Sequence, residues 1–402
     1  MTDLIAASND KAAAKPLRVR TITTGLELSP RGESERLDAA LDFLAAAKRS
    51  FESAGYEVQT LRIATNPWLA GASARDRQQL LARVQELDKI VAGRGVILGL
   101  GPVLTQDHSD DGLADWANEL IGTTRQVLFS VVIASPERAV HAKGAMVAAQ
   151  ITAALANTLP GGIGNFRFAA AANIPAGTPF FPVGWHKTGA REWVAIGVES
   201  ASVVEDAFNS MQPGDDPTAR LKQTLEKALA PVERVGRAVA SEHDRGYLGI
   251  DTSPAPGKDR SIAAAIEALT HVPFGSAGTL EACSSITAAL KSLDMQTWGY
   301  NGLMLPVLED PLLAQRAGEG RFSMRDLLLY SSVCGTGLDV VPLPGDTSVH
   351  AMAAIMRDVA AMSSRLRKPL SVRLFLVPGK KVGDTARFDD KYLTDSMVMK
   401  LD

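Results

Sequence analysis

Apolar positions along this chain fall into two alternating spacings. Val19 to Leu28 reads as a strand, with Arg18 and Arg20 alternating against apolar neighbours. Leu37, Leu41, Phe43, Leu44, Ala47 and Phe51 then recur at helical spacing until Gly55, which stands where a helix C-cap glycine belongs. Tyr56 to Ile63 predicts a second strand, Arg75 to Val91 a helix, and Val96 to Pro102 a glycine-broken strand. Val127 to Ala134 is a nearly continuous β-branched and apolar run, the mark of a strand buried on both faces. The alternation continues through an Ala-rich helix, Arg138 to Thr158, and strands at Phe166–Ala172, Glu192–Val198, Tyr247–Ile250, Leu303–Leu308, Leu338–Leu343 and Val372–Val377. Helical runs lie between most of them, Ser200–Met211, Ala219–Val239, Ser261–Leu269, Thr279–Leu293 and His350–Leu366 among them. Strands alternating with helices predict an α/β protein with a largely parallel sheet. No repeat or linker interrupts the pattern, so one large barrel or wide sheet over residues 17–402 fits better than two domains, with residues 1–16 as a loose tail.

One stretch concentrates unusual chemistry. Tyr330 to Asp346 carries Cys334 followed closely by Gly335 and Gly337, then a short apolar strand with Asp339, then the turn Pro344-Gly345-Asp346. The plain reading is a buried thiol beside turn carboxylates. The sharper one is a reactive sulfur close to Asp339 and Asp346. The other cysteine, Cys283, looks like packing inside a helix.

Charge and composition narrow the partners. A net charge of -3 gives no basic field for nucleic acid or an anionic membrane, and no apolar run is long enough to span a bilayer. Without an export signal, two cysteines read as reduced thiols in the cytoplasm. Gly99-x-Gly101 is followed by Pro102, and Gly161 to Gly164 precedes a strand, so neither supports a nicotinamide cofactor.

In parallel α/β sheets ligands gather at the carboxyl ends of strands. Those ends offer Asn173 and, after a Pro- and Phe-rich loop, His186; then Asp251 with Ser253; Glu309 and Asp310; Asp346; and Lys380. Asp251 and Asp310 could equally cap the helices that follow. Taken as ligands, Asp251, Glu309, Asp310 and Asp346 suggest an oxygen-bound divalent cation, Mg²⁺, Mn²⁺ or Ca²⁺. Cys334, His186 and Asp339 are the catalytic candidates; Asn173, Ser253 and Lys380 are the candidates for holding a small-molecule ligand.

Several of these stretches together resemble an uncharacterised family of pyruvate formate-lyase-like proteins: Val19-Arg-Thr-Ile-Thr, Phe168 to His186, Val272 to Thr279, Gly302 to Asp310, Val333 to Asp346 and Val377-Pro-Gly-Lys-Lys. The resemblance implies a barrel of about ten strands wrapped by helices, a homodimer, and a cysteine loop at the barrel centre, for which Cys334 is the counterpart. The C-terminal Arg-Val-x-Gly-Tyr-type loop of glycyl radical enzymes is missing, so no glycyl radical is expected. What remains is a radical-free lyase or isomerase acting on a small oxo- or hydroxy-acid, or a metabolite-binding protein without turnover.

Overall fold

The computed structural model describes residues 17–29 and 34–401; the predicted tail, residues 1–16, lies outside them. The strands are β1 (Arg18–Leu26), β2 (Val58–Thr65), β3 (Val96–Leu104), β4 (Val127–Ala134), β5 (Phe168–Ala172), β6 (Trp193–Glu199), β7 (Gly246–Asp251), β8 (Gly337–Pro344) and β9 (Leu370–Val377). The helices are α1 (Ser34–Ser53), α2 (Ala74–Gly93), α3 (Leu113–Thr123), α4 (Ala142–Leu155), α5 (Ala201–Asn209), α6 (Pro217–Glu242), α7 (Ile262–Thr270), α8 (Thr279–Lys291), α9 (Pro311–Gly318), α10 (Met324–Val333) and α11 (Val349–Leu366). Among the described residues, no helix is long and apolar enough to cross a membrane.

Nine strands form one sheet in the order β7-β6-β1-β2-β3-β4-β5-β9-β8. β1 to β5 run parallel to one another, and so do the flanking pairs β6–β7 and β8–β9. Each flanking pair meets the centre antiparallel, through β6 on β1 and β9 on β5. The predicted large, mostly parallel sheet is therefore present. Its ladder does not close: the edge strands β7 and β8 instead each make one bridge to the connecting segment 296–307, through Thr297 and Pro306. The predicted strand Leu303–Leu308 is replaced by that segment. Pro306 has no N–H to donate to a ladder, and the chain turns back at once, with Glu309 N donating to Pro306 O at 3.0 Å.

The antiparallel flanks decide where side chains gather, because the carboxyl ends of β6 to β9 lie beside the amino ends of β1 to β5. One cavity is lined from β1, β2, β3, β4, β6 and β9 together, so the sheet curves around it. A second hollow lies at the carboxyl ends of β2 to β5. The Pro- and Phe-rich loop 174–186 separates them. Phe180 and Phe181 face the first, and Ile174, Pro175, Val183 and Trp185 face the second. Gly99 admits this loop, since a Cβ there would lie 2.9 Å from the Phe181 ring.

Candidate functional site

The first cavity is built on three arginines from apolar strands. Arg20 lies near the start of β1, Arg62 midway along β2 and Arg373 midway along β9, and all three line it. Glu309 is buried between two of them. One of its oxygens accepts from Arg20 Nη2, and the other accepts from Arg373 Nη2 at 2.8 Å. Arg373 Nε also donates to Asp339 at 2.7 Å, and its guanidinium lies 4.7 Å from the Phe166 ring centre. Burial alone would push the Glu309 carboxyl up, but the guanidiniums of Arg20 and Arg373 outweigh it and hold it below its usual value. Asp339 goes the other way. Burial raises it against the pull of Arg373, Glu309 nearby adds to the rise, and its Oδ2 has no partner.

Arg62 differs from its neighbours. Its Nε donates to Thr60 Oγ1 at 3.2 Å and its guanidinium lies 5.2 Å from the Phe181 ring centre. Among the described residues nothing pairs with its two terminal nitrogens. Burial, with the charge of Arg20 adding to it, pulls its pKa down to about 9. Such an environment disfavours the cation until an anion arrives to pair with it. Three guanidiniums thus face Glu309, while burial also lifts Asp251 above its usual value. The rest of the lining is largely apolar, with Ile97, Leu128, Phe180, Phe181 and Met304 among it, and the space is about 90 Å³.

The residues singled out from sequence disperse across the molecule. Asp251 and Ser253 line the arginine cavity with Glu309. Asp251 is committed to structure: it accepts from Ser253 N and Oγ, Tyr300 N and Asn301 N, all within 3.2 Å. Asp310 ties two helices together, capping α9 through Leu312 N and Leu313 N and accepting from Ser261 Oγ and Ile262 N at the start of α7. Asp346 is exposed on its turn and Lys380 is exposed beyond β9. With their oxygens already taken or spread apart, these four carboxylates do not converge on a cation. No group of three or more His, Cys, Asp and Glu side chains suited to a metal occurs among the described residues.

Asn173 lies at the other end of the sheet, donating to Ser363 Oγ at 2.9 Å. His186 is buried and stacks against Trp193, and burial lowers its pKa. Cys334 caps the end of α10, and burial pushes its thiol up. It belongs to the main apolar core and does not line the cavity, in keeping with the plain reading of a buried thiol. Its glycines serve the backbone instead. A Cβ on Gly335 would meet Gly302 Cα at 2.3 Å, and one on Gly337 would meet Ser371 O at 2.2 Å.

The family model described as "Uncharacterised ACR (DUF711)" matches residues 12–390. The chain belongs to this family. A UPF0210 protein of Acetivibrio thermocellus is 26% identical over 400 residues, 92% of this chain and 88% of the relative. One from Pyrobaculum arsenaticum is 30% identical over 353 residues, covering 84% and 78%. With a UPF0210 protein of Pyrobaculum aerophilum the identity is 35% over 229 residues, and that alignment spans about half of either chain, 54% and 51%. The likeness to pyruvate formate-lyase remains a resemblance of the stretches quoted above.

Arg62 and Arg373 escaped the sequence reading, although each is an arginine inside an otherwise apolar strand run, Leu-Arg-Ile-Ala and Ser-Val-Arg-Leu-Phe-Leu-Val. A charge at such a position needs a buried partner or a ligand, and that was the available signal.

Proposed function

We propose that this protein binds a small carboxylate metabolite of the oxo- or hydroxy-acid class in the arginine cavity. The observation that carries the reading is the half-buried Arg62 guanidinium, 5.2 Å from the Phe181 ring centre, with no partner among the described residues for its two terminal nitrogens. A carboxylate matches that planar pair of donors and relieves the burial of an unmatched charge. The apolar part of the lining suits the carbon skeleton, and the narrow space favours a ligand of a few heavy atoms. The barrel implied by the resemblance fits the same picture, since the 296–307 segment bridges both sheet edges. The test is a thermal-shift series with pyruvate, lactate, 2-oxobutyrate and acetate. Acids that raise the melting temperature of the native protein are expected to leave Arg62→Gln unmoved. An equal shift in both would contradict the reading.

A second reading, turnover as a lyase or isomerase, is favoured by Asp339. It is lifted by burial, bonded to Arg373 and left with one oxygen free. Such a carboxyl is a proton store one residue behind the ligand site. On this reading Asp339→Asn keeps acid binding and loses turnover; unchanged turnover would remove Asp339 from any proton path.

A further inference from the structure

The hollow opposite the arginine cavity has a volume of about 450 Å³ and lies where open α/β sheets bind ligands, outside the carboxyl ends of β2 to β5. Its walls are stiff and apolar, with Pro67, Pro102, Val132, Val183 and the Trp185 ring, whose Nε1 already donates to Ile174 O at 3.0 Å. Deepest along β4 is Ser130. Ser130 is among the lining residues and wholly buried, and its hydroxyl has no hydrogen-bond partner among the described residues. Buried hydroxyls are normally paired, so this one is placed to meet something that enters.

Farther out, Ser135 and Asn173 form the rim, where this hollow continues into another of about 520 Å³ that is also lined by Arg367 and Lys368. Lys368 Nζ is occupied with the carbonyls of Ser332 and Cys334, at 2.8 and 2.6 Å. Arg367 is exposed, and its guanidinium has no partner among the described residues. Polarity therefore changes along the passage: a lone buried hydroxyl, an apolar middle, then a mouth where the Glu137 carboxylate stands beside Ser135 and the Arg367 cation lies on the far side, in the adjoining hollow. From Ser130 to Ser135 an extended chain covers roughly 16 Å. A medium-chain acid spans that interval and a pyruvate-sized acid does not.

We propose that this passage is a second binding site, for an extended acid with an apolar body. Its carboxylate lies at Arg367, its body runs between Pro102 and Trp185, and a hydroxyl or carbonyl at its far end pairs with Ser130.

The test is calorimetric titration of 10-hydroxydecanoate and decanoate into the full chain. The native protein should bind the hydroxylated acid about tenfold more tightly, the value of one added hydrogen bond. Ser130→Ala removes a hydroxyl that holds nothing in the fold, so it should erase that preference and leave decanoate binding intact. Arg367→Gln should weaken both acids several-fold, and Arg62→Gln should change neither. No binding of either acid, a preference that survives Ser130→Ala, or loss of binding in Arg62→Gln would each overturn the proposal.

Discussion

Glu309 sets the charge balance of the arginine cavity. Removing it strands one buried guanidinium, Arg373, and one half-buried guanidinium, Arg20, so Glu309→Ala should cost about 3 kcal/mol in urea unfolding. Far less should be lost when Arg373→Met is already present, because one of the stranded charges is then gone. The pH dependence has opposite signs for its two neighbouring carboxyls. Glu309 is held below its unfolded value, so its contribution is present above about pH 4.3 and disappears as pH falls through the folded value. Asp339 is raised, so its contribution is present below the unfolded value and disappears as pH rises through the folded one. Urea midpoints measured across the acid range should therefore fall less steeply toward low pH in Glu309→Gln. In Asp339→Asn the loss on the rising side should shrink. His186 follows a third course. Burial lowers its pKa from 6.5, so the native state loses stability as pH drops below that value. His186→Leu should flatten part of this loss, leaving the part due to His141, which burial lowers in the same way. An unaltered profile in His186→Leu would mean that the imidazole titrates freely.

Among the elements, the clearest constraint is the crossing of two backbone segments at Gly302 and Gly335. Either glycine replaced by alanine puts a methyl group 2.3 Å from the other's Cα, which no side-chain adjustment can relieve. Gly335→Ala should destabilise by about 3 kcal/mol or more, read as a drop in the urea midpoint; a drop no larger than that of an exposed alanine substitution would contradict the crossing. The same place shows what the sequence could convey. Order and type of most elements were legible, because alternating apolar periods are local: β4 and β9 appear almost as predicted, and α11 runs from Val349 to Leu366 where a helix over His350–Leu366 was expected. The glycines around Cys334 were legible as tight backbone, but what they approach, Gly302 and Ser371, is far away in sequence. The arginine cavity was hidden for the same reason. Arg20 meets Glu309 across 289 positions and Arg373 meets it across 64, and no local spacing reports such pairs. Asp251 and Asp310 carry the composition of metal ligands, yet their oxygens are consumed by nearby N–H groups, a fact that only hydrogen-bond geometry reveals.

At the scale of the whole molecule, the antiparallel flanks turn a mostly parallel sheet into a two-ended one. The carboxyl ends of β6 to β9 and the amino ends of β1 to β5 share one mouth, and the carboxyl ends of β2 to β5 open at the other. The loop 174–186 lies between, its phenylalanines toward the arginines and its Trp185 toward the opposite hollow. The two cavities share no lining residue, so the two proposed sites can be tested separately. The arginine cavity is tested most directly by calorimetric titration of pyruvate into the native protein and into Arg62→Gln. The expected result is binding by the native chain and a loss of affinity of about tenfold or more in the variant, the value of a charge-assisted pair, with the melting temperature of the variant unchanged or higher because an unmatched buried charge is gone. Equal affinity in the two proteins, or a variant that unfolds more readily while binding as before, would contradict the claim that Arg62 awaits an anion.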